Sequence, residues 1–483
     1  MIITSSMVAA VEGRYGKIFQ VGEKGKITRF NEQGAAALFA LANEVVFALE
    51  ESNHYVYSPD TGRYEAKSRE EMLSLLDLFI HELAVEIFAE EALEDKRKQS
   101  VLSSMLKFLP STCGKRDFFR RLDKVFIHVA NGVLELDESN EWVLKPFSPE
   151  YRSRNRCEIP YCPGAQCPRF QTELLDNLLM ADDQNLMQQV FGMLLTGRNI
   201  TQSIILLTGS GGSGKGTLSN IAEEMVGESN VTQIRPEQIS GRFETSFFMN
   251  KTLLSGKESN TSFFSTSGMH VLKSLVGDDK LRAELKNSNR HEMITGTYNV
   301  IIVGNSMPIM HFESEDDKSA WYRRLRWLKC KNFKPAVPIP NFADKLLTDE
   351  GSGILNWALD GAKAIITSGT SRLPCSDSQR RALDYLFNAS DPIGFFLSYA
   401  VAPKVGYSVT GEDLFRAYND FAPGSGLPIY NQRRFQHDCP DAMMRLFGVA
   451  LRRDIKRPDG SGRLTNRAGY AHVAFKQVCA KSV

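Results

Sequence analysis

Apolar residues along this chain change their spacing several times, and each change marks an element. Between Arg69 and Leu106 they recur at helical spacing among many charges, which predicts two amphipathic helices. Just before them, Tyr55-Val56-Tyr57 and Arg63-Tyr64 flank the turn Ser58-Pro59-Asp60-Thr61-Gly62, a hairpin pattern. A second hairpin is predicted from Asn131-Gly132-Val133-Leu134-Glu135-Leu136 back through Trp142-Val143-Leu144. The turn-rich stretch Tyr161 to Pro168 leads into helical patterns from Phe170 to Leu195. From residue 200 to about 335, short apolar runs alternate with helical ones, the pattern of a parallel sheet with crossovers.

The chain therefore divides into five regions. An N-terminal α+β domain is expected over 1–165, a helical collar or linker over 166–198, and an α/β core over 199–345. A helical lid or linker follows over 346–390, then a smaller domain over 391–483. In that last domain, helical patterns around Gly411 to Tyr418 and Arg433-Arg434-Phe435, followed by a basic hairpin near Arg452 to Arg467, look like a winged helix.

Composition changes this picture little. The 58 basic and 57 acidic side chains nearly cancel, so any nucleic-acid surface must be local. One candidate lies in residues 431–483, where eleven Lys and Arg stand against four Asp and Glu. No apolar run reaches the roughly 18 residues that a membrane span needs. The start of the sequence lacks a secretory pattern and the eight cysteines are scattered, so reduced thiols and a cytoplasmic protein are expected. Cys157, Cys162 and Cys167 invite a zinc reading. Their spacing does not match paired-cysteine knuckles, and a fourth ligand (Cys113 or His128) would come from afar, so buried or incidental thiols are favoured.

The strongest chemical signal is the apolar run Ser203 to Thr208, followed by Gly209-Ser210-Gly211-Gly212-Ser213-Gly214-Lys215-Gly216-Thr217 and a helical pattern from Leu218 to Met225. Strand, glycine-rich turn, lysine and helix together make a phosphate-binding loop. Glycines let successive N–H groups converge on phosphate oxygens, and the helix N-terminus adds partial positive charge. Gly209, Gly211, Gly212, Ser213, Gly214 and Gly216 would form the cradle. Lys215 would reach the outer phosphates of ATP, and Thr217 would hold Mg2+ through its hydroxyl. The strict pattern has Ser or Thr directly after the lysine, where this chain has Gly216 and then Thr217. A GKGT ending occurs in nucleoside monophosphate kinases as well as in some helicases, so the loop alone does not choose.

Downstream, Lys251 to Ser259 reads as a short strand in which Glu258 occupies the position of a magnesium-linked, water-activating carboxylate. It is the motif's single acid, with Lys257 and Ser259 on either side. The strand Tyr298 to Gly304 ends in Asn305-Ser306-Met307-Pro308, where an amide can sense the γ-phosphate or orient water. Between them, Val271 to Lys286 leads into Asn287-Ser288-Asn289-Arg290-His291 and a return strand, and Trp321-Tyr322-Arg323-Arg324-Leu325 closes the set.

In this order the pieces resemble superfamily 3 helicases, specifically the phage and poxvirus primase-helicase branch. The resemblance runs over roughly residues 50–335 and more loosely into the C-terminus. It implies an α/β P-loop (AAA+-like) ATPase core, with an N-terminal mainly helical collar domain and a C-terminal winged-helix-like domain. It further implies an ATP-dependent replicative DNA helicase of a phage or mobile element, forming a hexameric ring that moves 3′-to-5′ on single-stranded or forked DNA. In that reading Glu258 polarises water and shares Mg2+ with Thr217, Asn305 is the sensor, and Arg323 or Arg324 is the finger on a neighbour's ATP. The segment Leu285 to His291 becomes the pore hairpin, with Lys286, Arg290 and His291 meeting DNA phosphates. The first 150 or so residues lack paired acids in a strand-rich context, so a separate primase or initiator is the expected partner. Two other functions fit parts of the sequence: a DNA-bound ATPase that loads or initiates without unwinding, and, from the GKGT ending, a small-molecule kinase.

Overall fold

The structure is a computed structural model that describes residues 3–21, 27–86, 93–119, 125–235, 238–259, 264, 269–284, 291–312, 314–425, 427–458 and 462–476, the side chains of residues 21, 258 and 259 excepted. In the N-terminal region the helix Glu32–Ala42 buries Ala35, Ala36, Leu38 and Phe39 among the helices Arg69–Glu86 and Gln99–Cys113. Its run of alanines lets neighbouring helices approach closely, and the Asn31 side chain caps it by accepting from the Gly34 N–H at 3.0 Å. The hairpin expected around Gly62 is present: Asn53–Ser58 and Arg63–Lys67 pair antiparallel with Tyr57 opposite Tyr64. The second hairpin is present too, with Phe126–Val129 added as a third strand. With four helices and these small sheets among the described residues, the region is α+β rather than mainly helical.

The centre is a five-stranded sheet whose strand pairs are all parallel. In chain order its unit contains β1 (Ile204–Thr208), α1 (Lys215–Val226), β2 (Val231–Gln233), β3 (Leu253–Ser259), α2 (Met269–Val276) and the hairpin strands β4 (Lys280–Glu284) and β5 (His291–Thr295). Then come β6 (Asn299–Gly304), α3 (Glu315–Arg324), β7 (Leu325–Lys329), α4 (Phe342–Ser368) and α5 (Asp377–Ser390). The sheet order is β2-β3-β6-β1-β7. Strands β1 and β6 are buried at every position, as a parallel sheet covered on both faces requires. Alternate residues feed two cores. Ile205, Leu207, Ile301 and Val303 face α1, α4 and the helix Ala181–Leu195, whereas Ile204, Leu206, Val300 and Ile302 face α2, α3 and α5.

The boundary expected at 345 falls inside α4. Helix α4 packs along Ala181–Leu195, where glycines let the backbones touch: a Cβ on Gly192 would lie 2.0 Å from Ala362 N, and one on Gly361 2.0 Å from Gln188 O. The two helices of the expected lid therefore cover opposite faces of the sheet. Beyond them, the helices Pro392–Ala400, Gly411–Phe421 and Gln432–Phe447 pack around Tyr418 and Phe435. They lean on a three-stranded antiparallel sheet of Val401–Thr410, Leu464–Phe475 and Arg452–Pro458. Arg445 ties this region to the core through Glu315 of α3 at 3.0 Å, and pairs within the region with Asp391 at 2.5 Å.

Candidate nucleotide-binding site

Strand β1 delivers the glycine-rich loop to the C-terminal edge of the sheet, and α1 starts at Lys215. Gly212 and Gly214 both have positive φ, 79° and 103°, which reverses the chain tightly into the helix. Lys215 is buried, and its ammonium donates to Gly209 O and Ser210 O at 2.8 Å each and to Ser213 Oγ at 3.4 Å. Burial pushes its pKa below the usual lysine value. The nearby Cys330 thiol is pushed up to about 12 by burial, so it stays neutral.

The loop's other groups suit phosphate. Beside Gly211, Gly212 and Gly216 an added Cβ would meet nothing within 4 Å, so the backbone there is open to approach. The Ser210 hydroxyl oxygen is buried and has no hydrogen-bond partner among the described residues. Thr217 is half-buried in the first turn of α1.

Sheet order brings two further segments to the same edge. Strand β6 lies beside β1, with Gly304 level with Thr208, and the Gly209 N–H donates to Gly304 O at 3.3 Å. Asn305 follows at once and is exposed. Strand β3 lies beyond β6, with Ser259 level with Gly304. The β3–β6 ladder shifts between Gly256 and Ser259, so Lys257 and Glu258 form a bulge opposite one residue, Val303. The backbone of Glu258 thus stands at the loop edge, while its side chain lies outside the described residues.

The structure does not bring the paired arginines to this edge. Leu325 is level with Ile204, so Arg323 and Arg324 end α3 at the opposite edge, a strand length of roughly 16 Å away. Arg323 is exposed. Arg324 is half-buried, donates to Ala320 O at 3.2 Å, and is held below the usual arginine pKa by burial and then by Arg323, against the pull of Asp279. The preceding turn of the same helix is locked by Lys273, which pairs with Asp317 and lies 5.6 Å from the Trp321 ring centre.

The predicted hairpin is β4–β5, antiparallel with Glu284 opposite His291, and it springs from that same opposite edge. Its tip, with Lys286 and Arg290, lies outside the described residues. His291 is exposed at the start of β5, with Arg282 Nη2 3.5 Å from its Nδ1. Arg242 supports β4 from outside through Glu284 at 2.6 Å. Cys157 and Cys167 sit in the apolar core, and burial pushes their thiols up to about 12 and about 11, whereas Cys162 is exposed.

Sequence reasoning did not single out Glu223 or Ser255. Glu223 Oε1 accepts from Ser255 Oγ at 2.6 Å and its Oε2 from Lys257 Nζ at 2.7 Å; Lys257 also donates to Asn220 Oδ1 at 2.9 Å. The one available signal was a lysine immediately before the acid of the strand.

Residues 36–178 match the family model described as D5 N terminal like, and residues 207–324 match a family of unknown function, DUF5906. No curated protein matches the sequence. Among solved structures, an A-form apo structure of the NrS-1 C-terminal region aligns with a TM-score of 0.49 at 13% identity, over 90% of this chain and 98% of that one. A further apo structure of that region aligns with a TM-score of 0.46 at 13% identity, over 92% and 99%. Among the described residues, no helix is long and apolar enough to cross a membrane.

Proposed function

We propose that this chain is the ATP-hydrolysing motor of a ring-forming replicative DNA helicase of a phage or mobile element, of the superfamily 3 kind. The observation that carries this reading is the division of the sheet's two edges. The loop with buried Lys215, the Asn305 strand end and the Glu258 bulge share one edge, and the hairpin and paired arginines share the other. A subunit so built cannot supply its own finger, whereas a neighbour in a ring can. The match of residues 36–178 to the D5 N terminal like model supports the same reading.

In this mechanism Lys215 exchanges its carbonyl acceptors for phosphate oxygens of ATP, and the glycine N–H groups bind the remaining ones. Mg2+ bound with the nucleotide would neutralise phosphate charge, with Thr217 and Glu258 as the residues available to hold it. Glu258 accepts a proton from the attacking water and Asn305 orients it. Arg323 of the next subunit is the better finger because it is exposed, whereas Arg324 is partly enclosed by its own fold. Hydrolysis then moves the hairpin of Lys286, Arg290 and His291 along single-stranded DNA. The C-terminal region, three helices beside a basic hairpin, is on this reading a winged helix and would engage DNA or a neighbouring subunit. The motor would act in the cytoplasm of a bacterial host, with a primase or initiator on another polypeptide.

The test is ATP-dependent unwinding of a forked duplex with a 3′ single-stranded tail, beside a 5′-tailed control and a Lys215→Ala reference. Unwinding from the 3′ tail that is lost in Lys215→Ala supports helicase and polarity together. DNA-stimulated hydrolysis without strand displacement would replace this reading by a loader or initiator. Phosphate transfer to a nucleoside monophosphate would replace it by a kinase.

A further inference from the structure

Lys257 is an unusual neighbour for a water-activating carboxylate. An unrestrained ammonium beside Glu258 would compete with Mg2+ for the carboxylate and draw its proton affinity down. The structure shows where that charge goes. Lys257 lies in the β3 bulge, and its Nζ is bound by Glu223 and Asn220, which lie one turn apart on α1 and face the same way. The Glu223 carboxylate is fixed at both oxygens, because Ser255, two residues earlier on β3 and almost wholly buried, donates to the other one. The helix that begins at Lys215 is thereby stapled to the strand that carries Glu258, at two points on one face of the strand.

We infer that Lys257 is a positioning residue for ATP hydrolysis: its clamp on Glu223 and Asn220 holds the bulge that sets Glu258 relative to the phosphate-binding loop. The inference rests on the ATPase reading and deepens it. Half-exposed ion pairs contribute little to stability, so stability does not account for this one. Bulges beside active sites re-aim a side chain, and the ladder on either side keeps this one in place while the clamp fixes its aim. A displacement of about 1 Å at a catalytic group can cost about 100-fold in rate, and that is the scale on which the clamp acts.

The test compares Lys257→Ala, Lys257→Arg and Glu258→Gln in the full chain by steady-state ATP hydrolysis with single-stranded DNA, and by backbone amide exchange. Lys257→Ala is expected to lower kcat by about 10- to 100-fold with KM for ATP within about twofold. Faster exchange at Glu258 and Ser259, with α1 unchanged, should accompany it. Lys257→Arg, which keeps both hydrogen bonds, should recover most of the rate. A kcat for Lys257→Ala within twofold of the parent, or a loss carried by KM, overturns the inference, and so does unchanged exchange at the bulge. Should the parent not hydrolyse ATP, the ATPase reading fails. Should Glu258→Gln hydrolyse it normally, the assignment of Glu258 as the base fails. In either case the exchange data decide on the clamp alone.

Discussion

Leu174 Cδ1 lies 2.9 Å from the point where a Cβ on Gly214 would stand. The helical turn Phe170–Leu175 thus closes the glycine-rich loop from behind, one residue before Lys215. Gly214 also needs its φ of 103°, which a side chain adopts only under strain of about 1–3 kcal/mol. Gly214→Ala should therefore lose nucleotide binding and lower the melting temperature by a few degrees. Adding Leu174→Ala relieves the contact but leaves the backbone strain and empties a core position at about 2–5 kcal/mol, so the double variant should melt earlier still and not regain affinity. Titration with a fluorescent ATP analogue, beside thermal melts, checks both. Parental affinity in Gly214→Ala would show that the loop does not bind phosphate in this conformation.

Arg323 and Arg324 share one edge of the sheet and differ in exposure. Arg323→Ala should bind ATP normally and hydrolyse it roughly 1,000-fold more slowly or worse, the scale of a lost finger. Mixing it with Lys215→Ala should restore part of the activity. In a mixed ring some intact loops of the first variant then face an intact Arg323 of the second. Arg324→Ala should instead melt earlier, since its Nε is buried and its neighbours are packed around it. Should Arg324→Ala fold normally and be the variant that mixing rescues, the roles are reversed.

Much of this arrangement is legible in the chain. Strands β1 and β6 announce themselves as unbroken apolar runs because both of their faces are covered, and the loop before Lys215 is local chemistry. The hairpin β4–β5 follows from its flanking patterns. What the sequence hides is contact between distant segments. The amphipathic pattern of α4 specifies a helix but not which side of the sheet it covers, so it reads as a lid. Glu223 and Lys257 are 34 positions apart and look like separate surface charges until α1 crosses β3. The bulge at Lys257 and Glu258 depends on registry with β6, which no local pattern encodes.

Acid should find a weak point at His128. The ring is buried, stacks on Phe147 with centroids 5.2 Å apart, and has its pKa lowered from 6.5 to about 4 by burial, then by Arg156 and Arg63. In the unfolded chain a histidine takes up its proton near 6.5. Between that value and about 4 the unfolded state therefore binds more protons than the folded one, and stability falls as pH falls through this window. The full loss is about 3 kcal/mol and levels off below pH 4 or so. In thermal melts across the window the parent should lose stability as pH falls, and His128→Phe should lack that loss. Parallel profiles would mean that His128 is protonated in the folded protein.

Glu51 couples the N-terminal region to the hairpin. Its carboxylate accepts from Arg154 Nη1 at 2.5 Å, from the Tyr55 hydroxyl, and from Asn250 Nδ2 at 3.3 Å, the last just ahead of β3. The Arg154 guanidinium is itself held 4.2 Å over the Phe119 ring. Glu292 of β5 faces this group, and its carboxyl is pushed up from 4.5 to about 7 by burial and then by Glu51 and Glu50, with Arg154 opposing. Here the sign is the reverse of the usual carboxylate. From pH 4.5 to about 7 the folded state holds more protons than the unfolded one, so the docking weakens as pH rises and levels off above about 7. Amide exchange in β4 and β5, corrected for its intrinsic pH dependence, should accelerate as pH is raised through that window. Glu292→Gln stays neutral and should remove the dependence, leaving the hairpin as protected above pH 7 as below pH 5 or so. A Glu292→Gln profile that tracks the parent's would mean that β5 does not sense Glu51, and that the N-terminal region and the hairpin move independently.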